Sequence, residues 1–119
     1  CTTPGYVDIM IPQIYYGFEN SAAPYQSTLD EWDALAKQGG IPLIAGLSVS
    51  KVGCEDTWAG SGKYEWVNNS DIISRQAAAA KKCSSYGGIA LYSYRSVFQP
   101  ESSVSKQVKK EITALRDIL

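Results

Sequence analysis

Tyr6-Val7-Asp8-Ile9-Met10-Ile11-Pro12-Gln13-Ile14-Tyr15-Tyr16 is a nearly continuous apolar run rather than a clean alternation. Such a run is expected of a strand covered on both faces. Pro12 cannot donate to a ladder, so it fits best near the strand's C-terminal end, where pairing loosens. Two later runs, over residues 41–50 and 88–94, have the same apolar character. Between and after them the periodicity is helical. A loop over 17–26 leads to a helix over 28–38, where Thr28-Leu29-Asp30-Glu31 has capping-box spacing and two acids in the first turn. Leu29, Trp32, Leu35 and Ala36 form its apolar stripe, and Gly39-Gly40 stops it. A second helix spans about 70–84 with Ile73, Ala77 and Ala80 on one side. A last one follows Pro100 and turns Val104, Val108, Ile112, Leu115 and Leu119 inwards.

The resulting order is βαβαβα, the mark of a parallel sheet with right-handed crossovers. Crossovers of one hand between neighbouring strands place all the helices on one face. By parity the other face carries Ile11, Gly46, Ala90 and Tyr92, and nothing in the chain covers it. A complete (β/α)8 barrel uses about 250 residues, or roughly 31 per unit and 93 for three. Most of the excess in these 119 residues lies in the connection over 51–69, longer than the roughly 2–6 residues usual after a strand. The expected fold is therefore α/β, a parallel βαβαβα segment of a (β/α)8 TIM barrel, with residues 1–119 as a single partial domain. The competing arrangement is a small α/β sandwich with helices on both faces.

Composition narrows the chemistry. Hydrophobic residues make up 45% and charged ones 19%, as in a globular chain. Net charge is −1 and only Lys81-Lys82 and Lys109-Lys110 pair basic residues, so no nucleic-acid footprint is expected. The absence of histidine removes Ser-His-Asp and Cys-His arrangements and any metal site needing imidazole. Cys1, Cys54 and Cys83 are odd in number and lack CxxC spacing, which argues against a disulfide framework or a zinc site. Cys83 reads as a small buried hydrophobe and Cys54 as a passive loop thiol. No phosphate-binding glycine pattern, signal peptide or membrane span is visible, so no cofactor, metal or membrane partner is expected. Asn68-Asn69-Ser70 is formally a glycosylation acceptor but reads better as a helix N-cap.

Barrel sites form at the C-terminal ends of the strands, here residues 13–19, 50–66 and 92–96. Gln13 and Tyr15 share parity, and an amide that donates and accepts suits a sugar hydroxyl. The plainer alternative is a buried Gln satisfied by backbone. Tyr15, Tyr16, Trp58, Trp66, Tyr92 and Tyr94 offer flat apolar faces for sugar rings, although each could equally fill a core. Trp58, between acidic and glycine-rich residues, is the best stacking candidate, against a role as anchor of its own loop. Glycoside hydrolysis needs two carboxyl groups, about 5 Å apart for retention and farther for inversion. Glu19 and Glu55 follow adjacent strands most closely and rank first as catalytic residues. Asp56 and Glu65 are the other loop acids, Glu65 as a substrate contact. Each also reads as a solvated loop charge. Lys51 could bind a hydroxyl or pair with Glu55, and Arg95 carries the same ambiguity.

With the strands placed, Val7-Asp8-Ile9-Met10-Ile11-Pro12-Gln13-Ile14-Tyr15-Tyr16-Gly17-Phe18 resembles the sixth barrel strand of glycosyl-hydrolase-like family 10. Gly46-Leu47-Ser48-Val49-Ser50-Lys51-Val52-Gly53 is similar to its seventh strand. Glu55-Asp56-Thr57-Trp58-Ala59-Gly60-Ser61-Gly62 through Glu65-Trp66, and Asp71-Ile72-Ile73-Ser74-Arg75-Gln76, resemble the insertion and helix that follow it. Gly87-Gly88-Ile89-Ala90-Leu91-Tyr92-Ser93-Tyr94 resembles the eighth strand. Ser50 departs from the pattern by standing where an aromatic residue is expected. The resemblance implies the C-terminal three units of a glycosidase-type TIM barrel with carbohydrate as ligand, in a secreted or cell-envelope protein. It also implies that an essential acid lies on an earlier strand, so that these residues alone are inactive. The open face would pair with the rest of its own barrel or self-associate. Two other functions compete with this one: a non-catalytic carbohydrate- or cell-wall-binding module, and a structural fragment without its own ligand.

Overall fold

The computed structural model describes residues 5–119, so Cys1 lies outside the described residues. The fold is mixed α/β around a parallel pairing. Strand β1 (Leu43–Ser48) runs beside β2 (Tyr86–Tyr92), with Ala45 opposite Ile89, Leu47 opposite Leu91 and Ser48 opposite Tyr92. The register slips between Leu43 and Ile44, where Leu43 faces Tyr86 and Ile44 faces Gly88. Gly88 takes φ 145° there, a conformation that L side chains rarely adopt.

The strand expected over residues 6–16 is not continuous. It pairs with the free edge of β1 only at Met10 opposite Leu43 and Gln13 opposite Gly46, both parallel. Met10 N–H donates to Pro42 O at 3.0 Å and Ile14 N–H to Gly46 O at 3.0 Å. Met10 O accepts from Ile44 N at 2.8 Å and Pro12 O from Gly46 N at 3.0 Å. The missing rung belongs to Pro12, which has no N–H to offer Ile44. The proline therefore sits in the middle of the pairing and interrupts it, instead of marking a loosened end.

Three longer helices follow the expected order with shifted bounds: α1 (Tyr25–Gly39), α3 (Ile72–Lys81) and α5 (Ser105–Ile118). The capping box at Thr28 is not used. Helix α1 starts earlier, with Pro24 as its N-cap, and Thr28 Oγ1 donates back to Pro24 O at 3.0 Å from inside the first turn. Gly40, at φ 67°, ends it in the left-handed conformation. Neither Asn69 nor Ser70 caps α3. Asn69 Nδ2 donates to Glu65 O at 2.9 Å, and the cap comes from α5: Glu111 accepts from Ile72 N at 3.0 Å and Ile73 N at 2.9 Å. The connection over 51–69 is also more ordered than a loop, with 3-10 turns at Val49–Lys51 and Gly60–Gly62 and the short helix α2 (Glu65–Asn68). Tyr94 lies beyond β2 and opens another short helix, α4 (Tyr94–Phe98). Leu119, expected to face inwards, is 67% exposed beyond the end of α5.

Parity then separates the two sides of the sheet. Met10, Ile14, Leu43, Ala45 and Leu47 join Leu29, Ala36, Ile73, Ala77, Val108 and Leu115 in one buried core. Full burial of each such aliphatic side chain contributes about 1.5–3 kcal/mol. On the other side Gln13 is exposed, and Ile11 and Tyr92 are 55% and 53% exposed. Gly46 belongs to that side but is covered by the chain itself, because a Cβ there would stand 2.7 Å from Pro12 O.

Candidate functional site

The C-terminal ends of the extended segments are joined by a polar network. Lys51 Nζ donates to Tyr15 O and to Asp56 Oδ2, the latter at 3.0 Å, and lies 5.9 Å from the centre of the Tyr16 ring. The pairing considered between Lys51 and Glu55 does not form. Asp56 takes the lysine, and Glu55 pairs with Lys63 at 3.3 Å. Hydrogen bonding to Glu55 holds the exposed Lys63 ammonium above its ordinary range.

Glu65 is buried, and both its oxygens are committed to backbone. Oε1 accepts from Phe18 N at 2.9 Å and Oε2 from Glu19 N at 3.0 Å. Gly17 makes this possible, since any Cβ there would overlap the Glu65 carboxylate. Asn20 Oδ1 accepts from Ala22 N and Ala23 N, each at 3.0 Å, and Ser21 N and Oγ both donate to Ala59 O. Gly62 packs under the Glu19 carbonyl, where a side chain would overlap it. The loop after the first segment and the long connection after β1 are thus fastened together. Trp66 closes beneath them at 1% exposure, while Trp58 projects from the same connection at 89%.

Of the residues singled out from sequence, Gln13, Tyr15 and Tyr92 come together. With Ile11, Gly46 and Ala90 they line a shallow cleft of about 230 Å³ on the open face. The Tyr15 and Tyr92 rings lie 5.6 Å apart with their planes inclined by 33°. Tyr16, Lys51 and Glu19 border the fastened loops, and the Glu19 and Glu55 side chains are exposed. Tyr94 is 72% exposed and packs on Phe98 at 4.8 Å. Glu65 and Trp66 belong to the support beneath the loops. The amide and two tilted phenol rings of the cleft can bind hydroxyls and apolar ring faces, and the exposed Trp58 indole on the long connection offers a separate ring face. Glu19 adds a carboxylate on a backbone whose N–H is already held.

Residues with other signatures escaped notice in the sequence. Asn20 and Glu111 read as ordinary polar positions because their partners are distant in the chain. Helix α4 is too short to show a period, so Phe98 had no visible role. Burial pushes the Cys83 thiol up to about 11, with Asp33 and Asp30 adding to the rise. Among the described residues no cluster of His, Cys, Asp or Glu could hold a metal ion, and no helix is long and apolar enough to cross a membrane. No protein-family model, curated protein or solved structure matches the chain.

Proposed function

We propose that the chain is the C-terminal three strand–helix units of a (β/α)8 barrel similar to glycosyl-hydrolase-like family 10, supplying the carbohydrate-contacting part of a glycoside hydrolase. Gln13, Tyr15 and Tyr92 hold sugar hydroxyls and ring faces, exposed Trp58 stacks on a further part of the glycan, and Lys51 and Tyr16 border the site. Glu19 and Glu55 are the candidates for the one carboxylate that these units offer to the scissile bond. Glu65 acts through Glu19 as a positioning residue, because its carboxylate fixes the Glu19 backbone. The remaining strands cover the open face and bring the acid these residues lack.

One observation carries this reading: exposed Gln13 and Tyr92 share one uncovered sheet face with Tyr15, beside the fastened loops. An uncovered face bearing both aliphatic and hydroxyl-binding groups suits a barrel interior that opens into a sugar site. The test is a titration of the chain with cello-, chito- and xylo-oligosaccharides, followed by tryptophan fluorescence. Binding is expected, weakened about tenfold by Trp58→Ala on the scale of one lost aromatic stack and less by Tyr15→Phe. Hydrolysis is not expected from these residues alone. A flat titration with every glycan, or turnover by the chain itself, would overturn the proposal.

The ion pair between Glu55 and Lys63 favours a second reading, a carbohydrate-binding module without catalysis. In that case Glu19→Gln and Glu55→Gln, placed in a barrel that includes the earlier strands, leave its activity unchanged while Trp58→Ala still weakens binding.

A further inference from the structure

A second cleft, of about 330 Å³, lies between the turn after β1 and the connection from α4 to α5. It shares no lining residue with the open-face cleft. Its size falls at the lower end of the roughly 300–1,000 Å³ typical of small-molecule sites. Val104 and Pro100 give it an apolar wall, backed by the buried Val49, Val52 and Val108. Around them stand Arg95, Gln99, Glu101 and the exposed thiol of Cys54. Ser50 and Ser96 also line it, but their hydroxyls already bond to Ser48 at 2.7 Å and Ser93 at 3.2 Å. Arg95 and Glu101 pair neither with each other nor with any other charge among the described residues.

That set of groups selects a ligand chemistry. The guanidinium is a planar fork suited to a carboxylate. Glu101 opposes a bare anion but accepts hydrogen bonds from hydroxyls, and the Gln99 amide can do either. Val104 and Pro100 suit an apolar ring face. An inorganic anion would use Arg95 alone and gain nothing from the walls. A neutral sugar would leave the guanidinium without an anionic partner. We infer that this cleft binds a uronic-acid residue of an acidic glycan, its carboxylate on Arg95 and its hydroxyls on Gln99 and Glu101. The inference rests on the reading of the chain as carbohydrate-binding and extends it to the charge of the sugar.

Cys54 on the rim provides a readout independent of the open face. Alkylation by iodoacetamide, followed peptide by peptide in a mass spectrometer, separates Cys54 from Cys1 and Cys83. Digalacturonate is expected to slow the alkylation of Cys54 several-fold, whereas cellobiose and inorganic phosphate leave it unchanged. Arg95→Gln should raise the half-protecting concentration of digalacturonate about tenfold, the scale of one charge-assisted hydrogen-bonded pair. Arg95→Lys, which keeps the charge and loses the fork, should fall between. Arg95 is exposed, so both variants should fold as the native chain does. The inference is overturned by an absence of protection, by equal protection from cellobiose or phosphate, or by unaltered protection in Arg95→Gln. The two proposals fail separately. Neutral glycans that shift tryptophan fluorescence while digalacturonate leaves Cys54 unprotected would sink only the cleft. Protection of Cys54 that depends on Arg95, with no response to Trp58→Ala or Tyr15→Phe in any glycan titration, would sink the open-face site and leave the cleft standing.

Discussion

The two faces of the sheet come from the same apolar runs, yet water meets them very differently. Ile14, Leu43, Ala45 and Leu47 are at most 1% exposed on the helix side, and Met10 is 9% exposed. Ile9, Ile11 and Tyr92, one residue out of phase, are 50–55% exposed. Alternation along an extended chain puts neighbours on opposite faces, so a continuous run makes both faces apolar whether or not both are covered. The helices cover one. Apolar residues on the uncovered face contribute to this chain's stability only to the extent that something else packs on them.

Substitutions on each face, and in the polar clamps between elements, can break or sharpen that contrast. The largest effect is expected from Leu47→Ala, which empties a fully buried site and should cost about 2–5 kcal/mol in denaturant unfolding. Next is Glu111→Ala, which strips α3 of the cap that α5 provides and should cost about 2 kcal/mol. Burial holds the Glu111 carboxyl above its ordinary value of 4.5, with the Ile73 and Ile72 N–H groups opposing the rise. The folded chain therefore binds that proton more tightly than the unfolded chain. Well below 4.5 the group is neutral in both states. As pH rises from there through the raised value, native stability should fall relative to Glu111→Gln, as parallel unfolding curves across that window would reveal. A difference that grew in the opposite direction would show that the two backbone bonds outweigh burial.

Glu65→Ala should act more locally. It frees the part-buried Phe18 and Glu19 N–H groups, costs about 1–3 kcal/mol, and speeds hydrogen exchange at those two amides while α3 keeps its protection. The smallest effect on stability is expected from Ile11→Ser on the open face, within about 0.5 kcal/mol. If that face self-associates, the same substitution should move light scattering towards the monomer. Equal costs for Ile11→Ser and Leu47→Ala would erase the distinction between the faces altogether.

Much of the architecture is legible in local pattern. The three apolar runs, the double glycine ending α1 and the stripe of Ile73, Ala77 and Ala80 depend on periodicity and backbone freedom, which act over a few residues. The parity that groups Gln13, Tyr15 and Tyr92 is equally local. The misplaced features share a different cause. Thr28 had the spacing of a cap, but Pro24, four residues earlier, caps the helix and starts it sooner, at Tyr25. Asn69 and Ser70 were suitable caps for α3, yet a carboxylate 39 and 38 residues beyond the bonded amides took the role. Glu65 resembled any other loop acid until Gly17 admitted it beneath a distant loop. Lys51 had two acids within reach, and only the path of the connection chose Asp56.

By itself, then, the sequence determined the succession of extended and helical segments and which side chains share a face, because both follow from short-range geometry. Tertiary structure alone decided which carboxylates are clamps and which remain exposed, and that Val104 and Pro100 line a cleft with Arg95. Those outcomes depend on where segments far apart in the chain come to rest, since a buried backbone N–H takes whichever acceptor folding brings within bonding distance.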